Sequence, residues 1–125
     1  MSASAWAAFV VACSLGAVAR YLVDGGLQGR VAQRFPWGIW VVNVSGSLLL
    51  GILVGLNQHS HLAGVPLTIA GTGFCGAYTT FSTLAVQTVE LAEDGRASKA
   101  ALNALGSLTA GLVAGAAGLW LGGHS

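Results

Sequence analysis

Charged side chains are scarce in this sequence. Only 7% of its 125 residues are Asp, Glu, Lys or Arg, whereas 54% are hydrophobic. Soluble domains usually carry about 25% charged residues, and a soluble fold of this length could not bury so much apolar surface. The net charge of +1 offers no electrostatic footprint for nucleic acid. The composition therefore argues against a nucleic-acid partner and indicates an integral membrane protein whose solvent is the lipid bilayer.

Groups that carry out chemistry are also few. Cys13 and Cys75 lie inside apolar runs, which indicates neither a disulfide framework nor a spaced metal site. The sequence holds no Ser/His/Asp set, paired-carboxylate site or phosphate loop, so we do not expect an enzyme. A proton-coupled pump needs an acid inside the membrane. All four carboxylates here fall at the ends of apolar segments: Asp24, Glu90, Glu93 and Asp94.

Four apolar segments are long enough to cross a membrane, which takes about 20 residues. They cover approximately residues 4–23, 37–56, 65–89 and 97–121, and nothing is left over for a second domain. Backbone polar groups in lipid must be paired within each segment, so the spans should be helices. The sequence therefore predicts a single all-α domain over residues 1–125. Its glycines at four-residue spacing favour close helix contacts: Gly51 with Gly55, Gly111 with Gly115, and Gly118 with Gly122.

Basic residues are confined to one side of this predicted topology. The N-terminus, the second loop and the C-terminus hold no Lys or Arg, and the first basic residue is Arg20. A cleaved signal peptide starts with basic residues, so the first segment is expected to remain as a span. The positive-inside rule places the first and third loops in the cytoplasm and both termini outside. All five basic residues lie on or near that inner side: Arg20, Arg30, Arg34, Arg96 and Lys99.

The third segment contains a stretch that is poorly suited to a continuous helix. Residues 71–83 include three glycines and four threonines, and both residue types weaken a helix. A break at mid-membrane is tolerated where it is buried in protein or lines a cavity, and such breaks bind ions in transporters. The alternative is a plain helix whose hydroxyls bond back to its own carbonyls. The composition favours the break.

Polar side chains in the other spans allow two interpretations each. Asn43 either joins helices or donates a hydrogen bond to an ion in a pore. Arg20 either anchors the first span at the interface, paired with Asp24, or draws anions into a vestibule. Asn103 and Ser107, four residues apart on one helix face, either wet a pore or hold helices together. Residue types alone do not choose between these roles.

Three motifs resemble those of the small fluoride channels known as Fluc or CrcB. Residues 16–21 read G-A-V-A-R-Y, residues 37–47 read W-G-I-W-V-V-N-V-S-G-S, and residues 73–83 read G-F-C-G-A-Y-T-T-F-S-T. The likeness runs through all four spans in order, and the third motif is the most specific. The resemblance implies a passive, fluoride-selective channel in the cell inner (plasma) membrane, which exports cytoplasmic fluoride and lowers its toxicity.

The same resemblance implies an architecture and site residues. Two subunits would pack antiparallel, with dual topology, and form two pores. The carbonyls of Gly76 and Thr79 would hold a structural sodium ion at the break. Arg20 would lie near the vestibule. The fluoride pathway would be lined by residues from three spans: Asn43, Phe81, Ser82, Thr83 and Ser107.

Departures from the family pattern keep other readings open. Leu84 replaces a second pore phenylalanine, Ile39 replaces a threonine, and Ala77 replaces a glycine. A homodimer with both orientations needs a weak charge bias, whereas this chain has a clear one. The alternatives are a subunit that needs an oppositely oriented paralogue as its partner, a membrane subunit that does not conduct, and a small multidrug exporter. The exporter class needs a carboxylate within its first span, and none precedes Asp24.

Overall fold

The computed structural model describes residues 1–30, 36–58 and 64–124, with only the backbone given for residues 27–30. Arg34, in the predicted first loop, and the side chain of Arg30 lie outside this description. All the regular structure in the described residues is helical. The elements, in chain order, are α1 (Ala3–Arg30), α2 (Trp37–Asn57), α3 (Gly64–Leu67), a π-helix π1 (Thr68–Cys75), α4 (Gly76–Tyr78), α5 (Ser82–Glu93) and α6 (Ala97–Gly123).

Three helices are long and apolar enough to cross a membrane. They cover Ala3–Gly26, Trp37–Asn57 and Ala97–Gly123, with mean hydropathies of 1.7, 2.1 and 1.6. They correspond to the first, second and fourth predicted spans, and the chain is a multi-pass membrane protein. The first helix extends beyond its predicted span as far as Arg30. Hydropathy marks where a helix leaves the lipid, but a helix can continue into water, and the glycines at 25 and 26 do not end this one.

The third predicted span is a broken helix, as its composition indicates. Residues 64–78 form its first arm (α3, π1 and α4), and α5 forms its second arm. Between the arms Thr79 has an extended backbone, with φ −81° and ψ 157°. The first arm includes eight residues of π-helix, a rare form that frequently occurs at functional sites. The break separates the two arms over three residues, Thr79 to Phe81.

A seam of glycines joins α2 to α6, and the two helices run in the same direction. A Cβ atom added at Gly51 would fall on the carbonyl oxygen of Gly115, and one added at Gly118 would fall on that of Leu48. At Gly55 an added Cβ would lie 2.6 Å from the carbonyl oxygen of Leu119. Small residues allow such backbone contact, which replaces the hydrophobic driving force that lipid cannot supply.

Two of the three predicted glycine pairs take part in this seam fully. Gly51 with Gly55 and Gly118 with Gly122 meet the facing backbone directly. Gly111 lies in looser surroundings, since a Cβ added there would lie 3.6 Å from the Ser47 hydroxyl, an ordinary contact. The α2–α6 unit therefore forms a closely packed spine at one end and opens into a groove beside Ser47 and Gly111.

The first helix packs on the first arm of the broken span. A Cβ added at Gly16 would fall on the carbonyl oxygen of Phe74, and one added at Gly73 would lie 3.3 Å from the ring of Phe9. The second arm, α5, packs on α6, where Leu91 and Ala100 are buried. The break thus lies between two differently supported arms and faces α2.

Candidate functional site: the broken helix and its grooves

Asn43 of α2 clamps the backbone at the break. Its Nδ2 donates to the carbonyl oxygen of Thr80 at 2.9 Å, and its Oδ1 accepts from the backbone N–H of Thr80, also at 2.9 Å. A backbone polar group in lipid must find a partner, and the Asn43 amide presents an N–H donor and a carbonyl acceptor side by side, which pair with the C=O and the N–H of the same residue. The side chain therefore takes the place of a neighbouring strand or helical turn.

The clamp also releases a carbonyl of the first arm. In a continuous helix the N–H of Thr80 would bond to the carbonyl of Gly76, but here it goes to Asn43. The N–H of Thr83, which would bond to the carbonyl of Thr79, goes instead to the hydroxyl of Thr80 at 3.3 Å. Both carbonyls that the sequence resemblance assigns to sodium are thus deprived of their helical donors by side chains.

Close packing against α2 fixes the end of the first arm. A Cβ added at Gly46 would fall on the Thr79 side chain and lie 3.1 Å from the Tyr78 ring. The hydroxyl groups of Tyr78 and Ser45 are 2.9 Å apart, and the Tyr78 ring stacks on Phe74 with centroids separated by 5.9 Å. Thr79 donates its own hydroxyl proton to the Cys75 carbonyl at 2.9 Å. Four side chains therefore hold the N-terminal side of the break in place: Ser45, Phe74, Tyr78 and Thr79.

Two open grooves meet at Asn43 and Phe81. The first, about 410 Å³, lies along the first arm and is lined by Gly76, Thr79 and Thr80. The second, about 500 Å³, lies between α2, α5 and α6 and includes Thr88 and Ser107. Asn43, Ser47, Phe81 and Leu84 line both grooves. Among the described residues, no charged side chain lines either groove, so the surface around the break is neutral and mainly apolar, with a few hydroxyl groups.

The predicted pathway residues are arranged unequally around these grooves. Phe81 is 81% exposed, so its ring projects from the chain rather than packing inside it. Ser107 is buried at the wall of the second groove. Ser82 and Thr83 line neither groove. They belong instead to a hydroxyl cluster, in which Thr80 donates to Thr83 at 3.2 Å and lies 3.3 Å from the Ser82 hydroxyl.

Arg20 lies away from the break, on the part of α1 nearest the first loop. It is half-buried and lines neither groove. Asp24, its suggested partner, approaches α2 closely, so that a side chain at Gly38 would collide with it. Its Oδ1 is buried and has no hydrogen-bond partner among the described residues. The two roles predicted for Arg20, as an interfacial anchor and as a cation near the vestibule, both stay predictions.

Sequence reasoning missed the contributions of Thr80 and Thr88. Thr80 is the residue that Asn43 holds, and Thr88 links α5 to Asn103 of α6, whose Nδ2 donates to its hydroxyl at 2.9 Å. The sequence did contain a signal for Thr80, because an Asn deep in a span needs a partner at the same depth and the Gly/Thr-rich break supplies one. Thr88 is one hydroxyl among many and carries no such signal.

Comparison with known proteins places the chain in a family. Residues 7–119 match the family described as CrcB-like protein, Camphor Resistance (CrcB). A protein of Streptomyces avermitilis named Fluoride-specific ion channel FluC 1 is 40% identical over 115 residues, which is 92% of this chain and 93% of the relative. The FluC 1 of Leifsonia xyli subsp. xyli is 42% identical (93% and 85% covered), and the FluC 2 of Moorella thermoacetica is 44% identical (86% and 84% covered). With a match across nearly all of its length, this chain belongs to the CrcB family.

Proposed function

We propose that the chain is a subunit of a passive, fluoride-selective channel that exports cytoplasmic fluoride across the cell inner membrane. The observation that carries the proposal is the neutral groove at the break, where the donor Asn43 and the exposed ring of Phe81 meet. Relatives about 40% identical are named fluoride-specific ion channels. The described residues that line the grooves include no carboxylate, and a proton-coupled exporter would need one. Ion conduction needs no bond to be made or broken, so the proposal involves no enzymatic activity.

The chemistry of fluoride fits such a surface. The ion is small and strongly hydrated, so a pore must replace its water shell and still release it. A buried Lys or Arg would hold the ion too tightly. The Asn43 amide has a second N–H beyond the one given to Thr80, and the edge of an aromatic ring carries partial positive charge. Neutral donors and a ring edge offer several moderate sites, as conduction requires.

A passive pore for this anion has a use that follows from acid–base chemistry. Hydrogen fluoride crosses lipid as a neutral molecule and ionises in the near-neutral cytoplasm, where the anion is trapped. A selective pore lets the accumulated anion leave down its gradient, without ATP. A membrane subunit that does not conduct would give no such flux, so a flux measurement distinguishes that alternative from a channel.

The carbonyls of Gly76 and Thr79 form the part of a sodium site that one subunit would supply. Side chains divert the helical donors of both carbonyls, and Na⁺, as a hard cation, prefers such oxygen ligands. A bound ion would fix the two arms and place positive charge near the neutral grooves. The residues of this chain would hold the ion by their main-chain oxygens, with Asn43 and Thr80 keeping those oxygens free.

The grooves need a second subunit to become enclosed pores. They are open on one side, and the ring of Phe81 projects outwards there. An antiparallel, four-span dimer would close them. Because all five basic residues lie on or near one side of the predicted topology, the predicted orientation of this chain is biased. We propose as the second candidate a heterodimer with an oppositely oriented paralogue, whose residues compensate for Leu84. Some relatives carry the names FluC 1 and FluC 2.

The chain purified alone and reconstituted into fluoride-loaded liposomes tests these proposals. After a potassium ionophore is added, a fluoride electrode should register fast release, whereas liposomes loaded with chloride should retain their ion. Release would show that one chain makes a complete channel and that Leu84 is tolerated. Folded protein that releases no fluoride alone, but does so with an oppositely oriented paralogue, would support the heterodimer. Folded protein that releases none in either preparation would contradict the channel.

Replacement of Phe81 by isoleucine should lower fluoride flux roughly tenfold, the effect of about 1.4 kcal/mol in a barrier. Isoleucine is apolar like phenylalanine but smaller, and it lacks the positive ring edge; because the ring of Phe81 is exposed, the fold should not change. Tyr21→Ile is the matched control, because Tyr21 is 78% exposed and lines neither groove. Equal flux in the Phe81→Ile, Tyr21→Ile and unaltered proteins would remove Phe81 from the pathway.

A further inference from the structure

Two polar side chains of α6 are buried without complete hydrogen bonding. Asn103 is 0% exposed and Ser107 is 6% exposed. The Oδ1 of Asn103 and the Oγ of Ser107 have no hydrogen-bond partner among the described residues. A buried polar group that lacks a partner costs about 1–3 kcal/mol, and buried water commonly satisfies such groups. This pair is therefore a candidate site for a bound water molecule.

The orientation of the Asn103 amide is fixed by its neighbour. Thr88 donates its hydroxyl proton to the Leu84 carbonyl at 2.8 Å. Its oxygen can then only accept, and it accepts from Nδ2 of Asn103 at 2.9 Å. Rotating the amide by half a turn would set Oδ1 against an oxygen that has no proton left to give. The amide oxygen of Asn103 must therefore point away from Thr88.

The spacing of the pair suits a single bridging water. Side chains four residues apart on a helix have Cβ atoms about 5–6 Å apart, a gap that one water molecule can span with two hydrogen bonds. Because Oδ1 of Asn103 can only accept, the water must donate one proton to it, which leaves its second proton for Oγ of Ser107. Ser107 would then accept from the water, so its own proton could not be directed at the same molecule.

We propose that a water molecule bound between Asn103 and Ser107 orients the Ser107 hydroxyl as a hydrogen-bond donor into the second groove. Both Oδ1 of Asn103 and Oγ of Ser107 would accept from the water, so the hydroxyl proton of Ser107 would be left to point into the second groove. A serine in a helix often donates back to the carbonyl four residues earlier, but Ser107 makes no such bond to the carbonyl of Asn103, so its hydroxyl proton is free to be oriented by the water. Asn103 is then a positioning residue. This step rests on the proposed function, because an anion is what a donor in the groove would serve.

A double-mutant cycle in the liposome assay tests the coupling. Asn103→Leu and Ser107→Ala should each lower fluoride flux roughly fivefold, the size of one neutral hydrogen bond. The double variant should be no slower than either single one, because both remove the same donor. As a control, Thr109→Ala removes an exposed hydroxyl of the same helix, and its effect should simply multiply that of Asn103→Leu. The proposal would be overturned if the flux of the double variant fell by the product of the two single reductions. It would also be overturned if Asn103→Leu kept full flux.

A crystal structure that resolves ordered water gives a readout independent of flux. We expect a water peak within hydrogen-bonding distance of both Asn103 Oδ1 and Ser107 Oγ. A direct hydrogen bond between the two side chains, with no peak, would overturn the inference even if the protein conducts fluoride. If the unaltered protein conducts nothing, the proposed function fails while the water peak still decides whether the site exists.

Discussion

Replacing Asn43 with leucine is expected to abolish fluoride conduction and to destabilise the fold at the same time. Leucine has the same branching and the same number of side-chain heavy atoms as asparagine but offers no polar atom to Thr80. The N–H and C=O of Thr80 would both lose their partners, and each unpaired group costs about 1–3 kcal/mol. We therefore expect a loss of about 2–6 kcal/mol in the free energy of unfolding and flux below one hundredth of that of the unaltered protein.

Two measurements on the same purified variant separate the roles of Asn43. Thermal unfolding in detergent reports the clamp, and fluoride release from liposomes reports the pathway. The control is Asn57→Leu, the same change at the exposed end of the same helix, which should alter neither. If Asn43→Leu loses flux but unfolds at the original temperature, the amide serves the ion alone. If it unfolds early but the surviving protein conducts normally, the amide serves only to hold the helices.

Replacing Gly118 with alanine is the second change with a large expected effect. The added methyl group would fall on the carbonyl oxygen of Leu48 and lie 2.8 Å from the backbone nitrogen of Ile52. Backbone atoms cannot turn aside as a side chain can, so α2 and α6 must separate. Overpacking in a close contact typically costs about 1–3 kcal/mol. We expect the upper end of that range, because separation also loosens the contacts at Gly51 and Gly122.

The matched control for this change lies two turns away on the same helix. Gly111→Ala adds the same methyl group, which would lie 3.6 Å from the Ser47 hydroxyl. Alanine is a better helix former than glycine by up to about 1 kcal/mol, so Gly111→Ala should leave the unfolding temperature unchanged or raise it. The two variants therefore have opposite expected signs. If Gly118→Ala were as stable as Gly111→Ala, the close approach of α2 and α6 would be wrong.

The sequence allowed the main elements to be predicted because each follows from a local property. Runs of apolar residues marked α1, α2 and α6, and the Gly- and Thr-rich stretch at residues 71–83 marked the break in the third span. The extension of α1 to Arg30 was missed, since apolar content says where lipid ends and not where a helix ends. The π-helix Thr68–Cys75 was also missed. The sequence shows no local signal for its hydrogen-bond register.

The candidate site was predictable in its members but not in its connections. Asn43 stood out as an amide among valines, yet an amide can pair with any polar group at its depth. That it pairs with the backbone of Thr80, and thereby diverts the donor that Gly76 would otherwise have, depends on the break being folded against α2. The link from Asn103 to Thr88 likewise depends on how α5 meets α6. Long-range pairings of this kind are set by the whole fold.

The α2–α6 seam also imposes an order on biosynthesis. Its first half, α2, ends at Asn57, whereas its second half begins 40 residues later, at Ala97. At about 5–20 residues per second, roughly 2–8 seconds pass before the partner begins to be made. During that interval the glycine face of α2 is in contact with lipid or with other helices in the membrane. A ribosome that stops before residue 97 therefore releases a chain in which α2 lacks α6, its packing partner. A quality-control protease would encounter the chain with the glycine face of α2 uncovered.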